Sequence, residues 1–76
     1  MDISLDRLEQ GIQSTVTEIR TPEPLLSRLR QFGLVPGTRV SVRYRSPDKG
    51  VTALELRGTV IALRTRELKK IRVRLL

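Results

Sequence analysis

The sequence contains no cysteine, no histidine and no tryptophan, and its aromatic residues are one Phe and one Tyr. Without cysteine there are no disulfides and no thiolate metal sites, and nothing ties the chain to an oxidising compartment. Without histidine or cysteine a nucleophile would have to be a Ser, Thr or Lys activated by an unusual neighbour, and neither a Ser-x-x-Lys pattern nor a nucleophile elbow is expected. A glycine-rich run ending in Lys and Ser or Thr, which a phosphate-binding loop requires, is also missing. The longest apolar run, Val60 to Leu63, falls far short of the roughly 20 residues that cross a bilayer. The N-terminus, Met1-Asp2-Ile3-Ser4-Leu5-Asp6, lacks the charged and apolar regions of a signal peptide. A soluble, cytoplasmic, non-enzymatic protein without a cofactor is the expectation.

What is present is small, aliphatic and basic. The 76 residues suit one domain, spanning 1–76. A chain near this size buries only about 60% of its unfolded surface. With so few aromatics the core must be built from Leu, Val and Ile. The net charge is +7, with twelve Arg against three Lys, and such a balance attracts acidic partners over long range. Nucleic acid, an anionic membrane surface and an acidic protein all satisfy that condition.

Local patterns divide the chain. The first ten residues read as an ordered lead-in in which Ile3, Leu5 and Leu8 can pack, closed by Gly11. Ser14 to Ile19, rich in Thr and Val, favours extended backbone. Thr21 is placed to cap a helix that has Pro22 in its first position and Glu23 near its positive end. Leu25, Leu26, Leu29 and Phe32 mark one buried face of that helix. Gly33 is the expected left-handed residue after it. Pro36-Gly37 then makes a turn.

In Arg39 to Arg45 the alternation puts Val40, Val42 and Tyr44 on one face and Arg39, Ser41, Arg43 and Arg45 on the other. Ser46 to Gly50 is a loop. Val51 to Arg57 and Thr59 to Arg64 are strands bent apart at Gly58. Thr65 opens a helical turn through Lys70, and Ile71 to Leu75 alternates again. About five short strands, one helix and one helical turn predict a mainly β, SH3-like barrel, because wrapping removes most of the exposed edges.

Taken together, Leu29-x-x-Phe32-Gly33-Leu34-x-Pro36-Gly37-x-x-Val40-x-Val42, the Ser46-Pro47 loop, and Gly58-x-x-Ile61-Ala62-Leu63-Arg64 followed by Ile71-x-Val73 resemble the FeoA family. These are small accessory proteins of bacterial ferrous iron uptake. The resemblance runs from Ser4 to the end of the chain. One departure is Lys49-Gly50-Val51, where the family commonly has a Gly-Asp-Pro-like turn. The resemblance implies an SH3-like barrel acting through FeoB, a membrane transporter with a cytoplasmic GTPase domain, so that membrane contact is indirect. The same domain type is fused to metal-dependent repressors resembling the diphtheria toxin repressor. Both uses are protein recognition.

The residues themselves offer no obvious ferrous site: imidazole and carboxylate ligands would be needed, and Asp2, Asp6 and Glu9 form the one close carboxylate group, expected to be a solvated face. Two docking surfaces are expected. One is a hydrophobic groove beside the helix, edged by Leu25, Leu26 and Leu34. The other is an arginine face made of Arg39, Arg43 and Arg45 with Arg72 and Arg74, provided their strands are neighbours; its plain alternative is a solvated sheet face. Arg57 and Arg64, flanking the Gly58 hairpin, could act in trans on a GTPase, since a guanidinium stabilises charge on a transferring phosphoryl group. Nucleic-acid binding is the alternative function. It ranks lower because single-strand binders interleave aromatics with basic groups, and Phe32 and Tyr44 are expected in the core. A free strand edge would also allow pairing between copies, so a homo-oligomer stays among the expectations.

Overall fold

The computed structural model describes residues 2–76. Six strands form one antiparallel arrangement in the order β1-β6-β2-β3-β4-β5: β1 Asp2–Ser4, β2 Ser14–Ile19, β3 Arg39–Arg45, β4 Val51–Leu56, β5 Thr59–Arg64 and β6 Ile71–Leu75. A helix, α1, spans Leu25–Gln31, and short 3-10 turns occupy Leu5–Arg7 and Thr65–Leu68. The fold is mainly β and SH3-like, as expected, with a sixth strand that three residues of lead-in were too short to signal.

Strand pairing does not close the barrel. The edge strands β1 and β5 continue into the two 3-10 turns, and those turns pack against each other. Leu5 and Leu68, one from each turn, are fully buried, so apolar contact does there what hydrogen bonding does elsewhere. The core is aliphatic throughout, with Val16, Leu29, Leu34, Val40, Val42, Leu54, Ile71 and Val73 among its members.

β3 joins the two halves of the sheet. Its first residues pair with β2, as Val40 with Ser14, while Ser41 onward pairs with β4. Ser41 is consequently buried like its two valine neighbours, rather than standing on a solvated face. A bulge follows: Val42 faces Leu54 but Tyr44 faces Ala53. The extra residue resets the alternation. Tyr44 therefore turns outward, 56% exposed, and Arg45 turns inward, where its Nη2 donates to the carbonyls of Asp6 (3.0 Å) and Leu8 (2.7 Å).

The helix begins later than its sequence suggests. Thr21 and Glu23 each precede a proline, which disfavours helical backbone at both. Thr21 is buried with its hydroxyl unpartnered and caps nothing. Glu23 fills that role, accepting from the Ser27 backbone N–H at 3.0 Å and the Ser27 hydroxyl at 2.7 Å. These hydrogen bonds hold its carboxyl below the usual carboxylate range. The end of α1 follows expectation: Leu34 N–H donates to Leu29 O and Gly33 N–H to Arg30 O, with Gly33 at φ +87°. That reversal carries Leu34 into the core and leaves Phe32 41% exposed.

Candidate functional site

The expected arginine face does not form. β2 lies between β3 and β6, so Arg39 and Arg74 are separated by Thr15, which pairs with both. Arg45 points into the protein, as described. Arg74 donates to Asp2 at 3.1 Å, Arg72 donates to the Asp2 carbonyl at 3.0 Å, and Arg43 pairs with Glu55 at 2.8 Å. Most of this stripe is thus engaged with acids and carbonyls of the same chain. Arg57 occupies the first position of the two-residue β4–β5 turn, at φ +53°, rather than the end of a strand. Its guanidinium lies over Gly33, with Nη1 2.8 Å from where a Cβ would stand.

Nor does the helix edge the predicted apolar groove. Leu25 and Leu26 are half-buried, but Leu34 is wholly buried and cannot contribute to a surface. An apolar cleft of about 360 Å³ exists elsewhere, between the N-terminal segment and the C-terminal strand, lined by Ile3, Leu8, Ile12 and Leu75 with Arg7 and Glu9 at its rim. Asp2, Asp6 and Glu9 do not converge, and no group of three or more potential metal-ligating His, Cys, Asp or Glu occurs among the described residues.

Four cations that take part in no ion pair among the described residues lie together at the far end of the sheet. An open groove of about 520 Å³ is lined by Lys49, Arg64, Arg66 and Lys69, with Gly50, Val51 and Thr65 between them. None of the four belongs to the three ion pairs among the described residues. The groove is held by a braced loop. Lys49 N–H donates to Ser46 O (2.8 Å), Asp48 accepts from the Ser46 hydroxyl (2.6 Å) and the Gly50 N–H (2.9 Å), and Val51 N–H donates to the Ser46 Oγ (3.0 Å). The bonds from Ser46 and Gly50 lower the Asp48 pKa. Across the groove, Thr65 ties its own turn to the loop, through its N–H on Gly50 O and its hydroxyl against that of Thr52, 2.8 Å away.

The expectation that the sequence has no Ser-x-x-Lys pattern is wrong: Ser46-Pro47-Asp48-Lys49 has that spacing, the spacing of a lysine-activated nucleophile. The Ser46 oxygen, however, is spent on Asp48 and Val51 within the loop.

Beside the groove, the outer face of β3, β4 and β5 carries Tyr44, Ala53 and Ala62 in one row, flanked by Val51 and Val60. Tyr44, Val51, Val60 and Ala62 are exposed. Of the candidate residues named from sequence, this region contains Arg64 and, at its margin, Arg43. It adds Lys49, Arg66, Lys69 and Tyr44, which sequence reasoning did not single out. The basic density of Arg64-x-Arg66-x-x-Lys69-Lys70 was a visible signal; that Lys49 joins it depends on the pairing of β4 with β5.

Residues 3–75 match the family model described as the FeoA domain. No curated protein matches the chain. Among solved structures, a FeoA-like protein from Clostridium acetobutylicum is 32% identical, with 99% of this chain covering 87% of that one at a TM-score of 0.84. The FeoA protein from Chlorobium tepidum is 28% identical, with coverage of 97% and 70% and a TM-score of 0.88. FeoA from Stenotrophomonas maltophilia, solved with zinc, is 25% identical over 95% of this chain and 89% of that one, TM-score 0.76. That protein is described as a procaryotic SH3 domain protein and put forward as a ferrous iron transport activating factor.

Proposed function

The chain belongs to the FeoA family, and from that premise we propose that it is a non-enzymatic accessory protein of ferrous iron uptake, docking on the cytoplasmic GTPase domain of a FeoB-like transporter. The observation that carries this reading is the surface around the β4–β5 hairpin. There, exposed Tyr44, Val51 and Val60 lie beside four cations that belong to none of the ion pairs among the described residues. An apolar centre with a charged margin is the anatomy of a protein-recognition surface. A net charge of +7 speeds encounter with an acidic partner and disfavours wrong ones. The role put forward for the S. maltophilia protein, activation of ferrous iron transport, agrees with this reading.

The test is a titration of isotopically labelled protein with the cytoplasmic GTPase domain of a FeoB-like transporter at physiological salt, with duplex DNA in a parallel tube. Backbone amide shifts localised to Tyr44, Lys49–Val51 and Val60–Lys69 with the GTPase domain alone are expected. Shifts with DNA alone would overturn the adaptor reading in favour of nucleic-acid binding.

A further inference from the structure

β5 is the last strand in the order, with β4 on one side and no strand on the other. Antiparallel pairs alternate between hydrogen-bonded and open positions, and two features fix the phase here. Thr65 N–H donates to Gly50 O, and a two-residue turn joins Leu56 to Thr59. Thr59, Ile61 and Leu63 therefore bond to β4, while Val60, Ala62 and Arg64 turn their backbone groups to the open side. Glu67 takes the Arg64 N–H at 3.1 Å. Both backbone groups of Val60 and Ala62 and the carbonyl of Arg64 are left as a pairing template. The strand carries no proline or lysine, the residues that commonly blunt such an edge.

At the end of this edge lies the cationic groove. Its nearest carboxylates are already used, Asp48 by Ser46 and Gly50 and Glu67 by Arg64. We infer that an extended acidic segment of a partner protein adds to β5 as a seventh strand, its carboxylates lying among Lys49, Arg64, Arg66 and Lys69. Main-chain bonds to Val60 and Ala62 supply the pairing and the cations supply the choice of partner. A second copy is a poorer occupant, because it brings another +7 charge and another Arg64 to the same edge. That the segment belongs to a transporter rests on the reading above; the site does not.

Two titrations separate these claims. The first uses a blocked octapeptide alternating Val with Glu, and a control with Lys in place of Glu. The Glu peptide should shift amides of Lys49–Val51 and Val60–Arg66 and slow hydrogen exchange at Val60 and Ala62. Ala62→Pro, which removes an N–H on the open side, and Arg64→Glu with Lys69→Glu should each weaken it about tenfold or more, and the Lys peptide should not bind. Binding elsewhere, absence of binding, or indifference to both variants overturns the site. So do β5 shifts that depend on the chain's own concentration without peptide, which would assign the edge to a second copy.

The second titration repeats the variants against the GTPase domain. Wild-type binding that both variants leave intact overturns the edge while the adaptor reading stands. Peptide bound at the edge with no binding of the domain overturns the adaptor reading and leaves the edge.

Discussion

The two edges of the sheet are built on opposite plans. β1 is three residues long and carries Asp2, whose carboxylate accepts from Thr17 and Arg74 and whose carbonyl accepts from Arg72. Shortness and charge are both devices that keep an edge from pairing with a neighbour. β5 is twice that length, has apolar residues along its outer face, and stands next to cations that join none of the ion pairs among the described residues. Basic residues are abundant at both ends of the sheet, so the difference lies in where the acids went. Asp2 sits beside Arg72 and Arg74 of β6 and Glu18 pairs with Arg20 just past β2, whereas Asp48 and Glu67 are turned into loop bonds beside β5. Charge left over at one edge and cancelled at the other makes β5 the side on which a partner would gain most.

Proline substitution is the sharpest way to break this comparison. Ala53 and Ala62 face each other across the β4–β5 ladder at an open position, so the Ala53 backbone bonds toward β3 and that of Ala62 toward the unpaired side. Ala53→Pro removes a ladder bond from a central strand and inserts a ring between two neighbours. It should cost about 3 kcal/mol or more and leave so small a chain largely unfolded. Ala62→Pro should cost about 1 kcal/mol or less, equivalent to roughly 4–8 °C in Tm at this size. Thermal melts followed by circular dichroism decide the matter. Equal losses would mean that the outer side of β5 is not free.

A loss of comparable size is expected at the seam where the two edges meet. Leu68 is fully buried in the turn after β5 and packs in the same core as Leu5, from the turn after β1. Leu68→Ala and Leu5→Ala should each lower stability by about 2–5 kcal/mol, the range for cavities left by a buried leucine. Because the sites serve one seam, the double variant should lose less than the sum of the two. Additive losses in denaturant melts would show that the two turns are held independently.

How far this arrangement could be read from sequence depends on the range of the interaction involved. The end of α1 and the Val35–Thr38 turn were legible, because Gly33 and Pro36-Gly37 answer to backbone rules that act within a few residues. The start of α1 was misread. Thr21 has the chemistry of a cap, but Pro24 disfavours helical backbone at Glu23, so the helix cannot start directly after Thr21. The arginine face failed for two reasons: a bulge at Arg43 has no compositional mark, and the order of strands places β2 between β3 and β6. Tyr44 was expected inside for the first of these reasons. Lys49 and Lys69, twenty positions apart, become neighbours only through the β4–β5 ladder and the Thr65 brace, so no local pattern could have joined them.

The finest contrast between the edges is electrostatic. Asp2 and Asp48 both have pKa values below the ordinary 3.8, for different reasons. At Asp2 the causes are the hydrogen bond from Thr17, then the bond and charge of Arg74; at Asp48 they are the bonds from the Ser46 hydroxyl and the Gly50 N–H. A folded-state pKa below the unfolded value gives stability that is complete above the unfolded value and disappears as pH falls through the folded one. Neither group should alter stability between pH 5 and 8, and both should weaken the fold only below about pH 4. Salt screens a charge more than a hydrogen bond made within a turn. Carboxyl titrations by NMR at low and high ionic strength should therefore show the Asp2 midpoint rising with salt and the Asp48 midpoint nearly still. Arg74→Met should raise only the first and Ser46→Ala only the second. An Asp48 midpoint that climbs with salt as steeply as that of Asp2 would mean that the groove's cations, and not the loop bonds, hold that carboxylate. The four cations would then be partly neutralised from within, and β5 would lose the excess charge that sets it apart from β1.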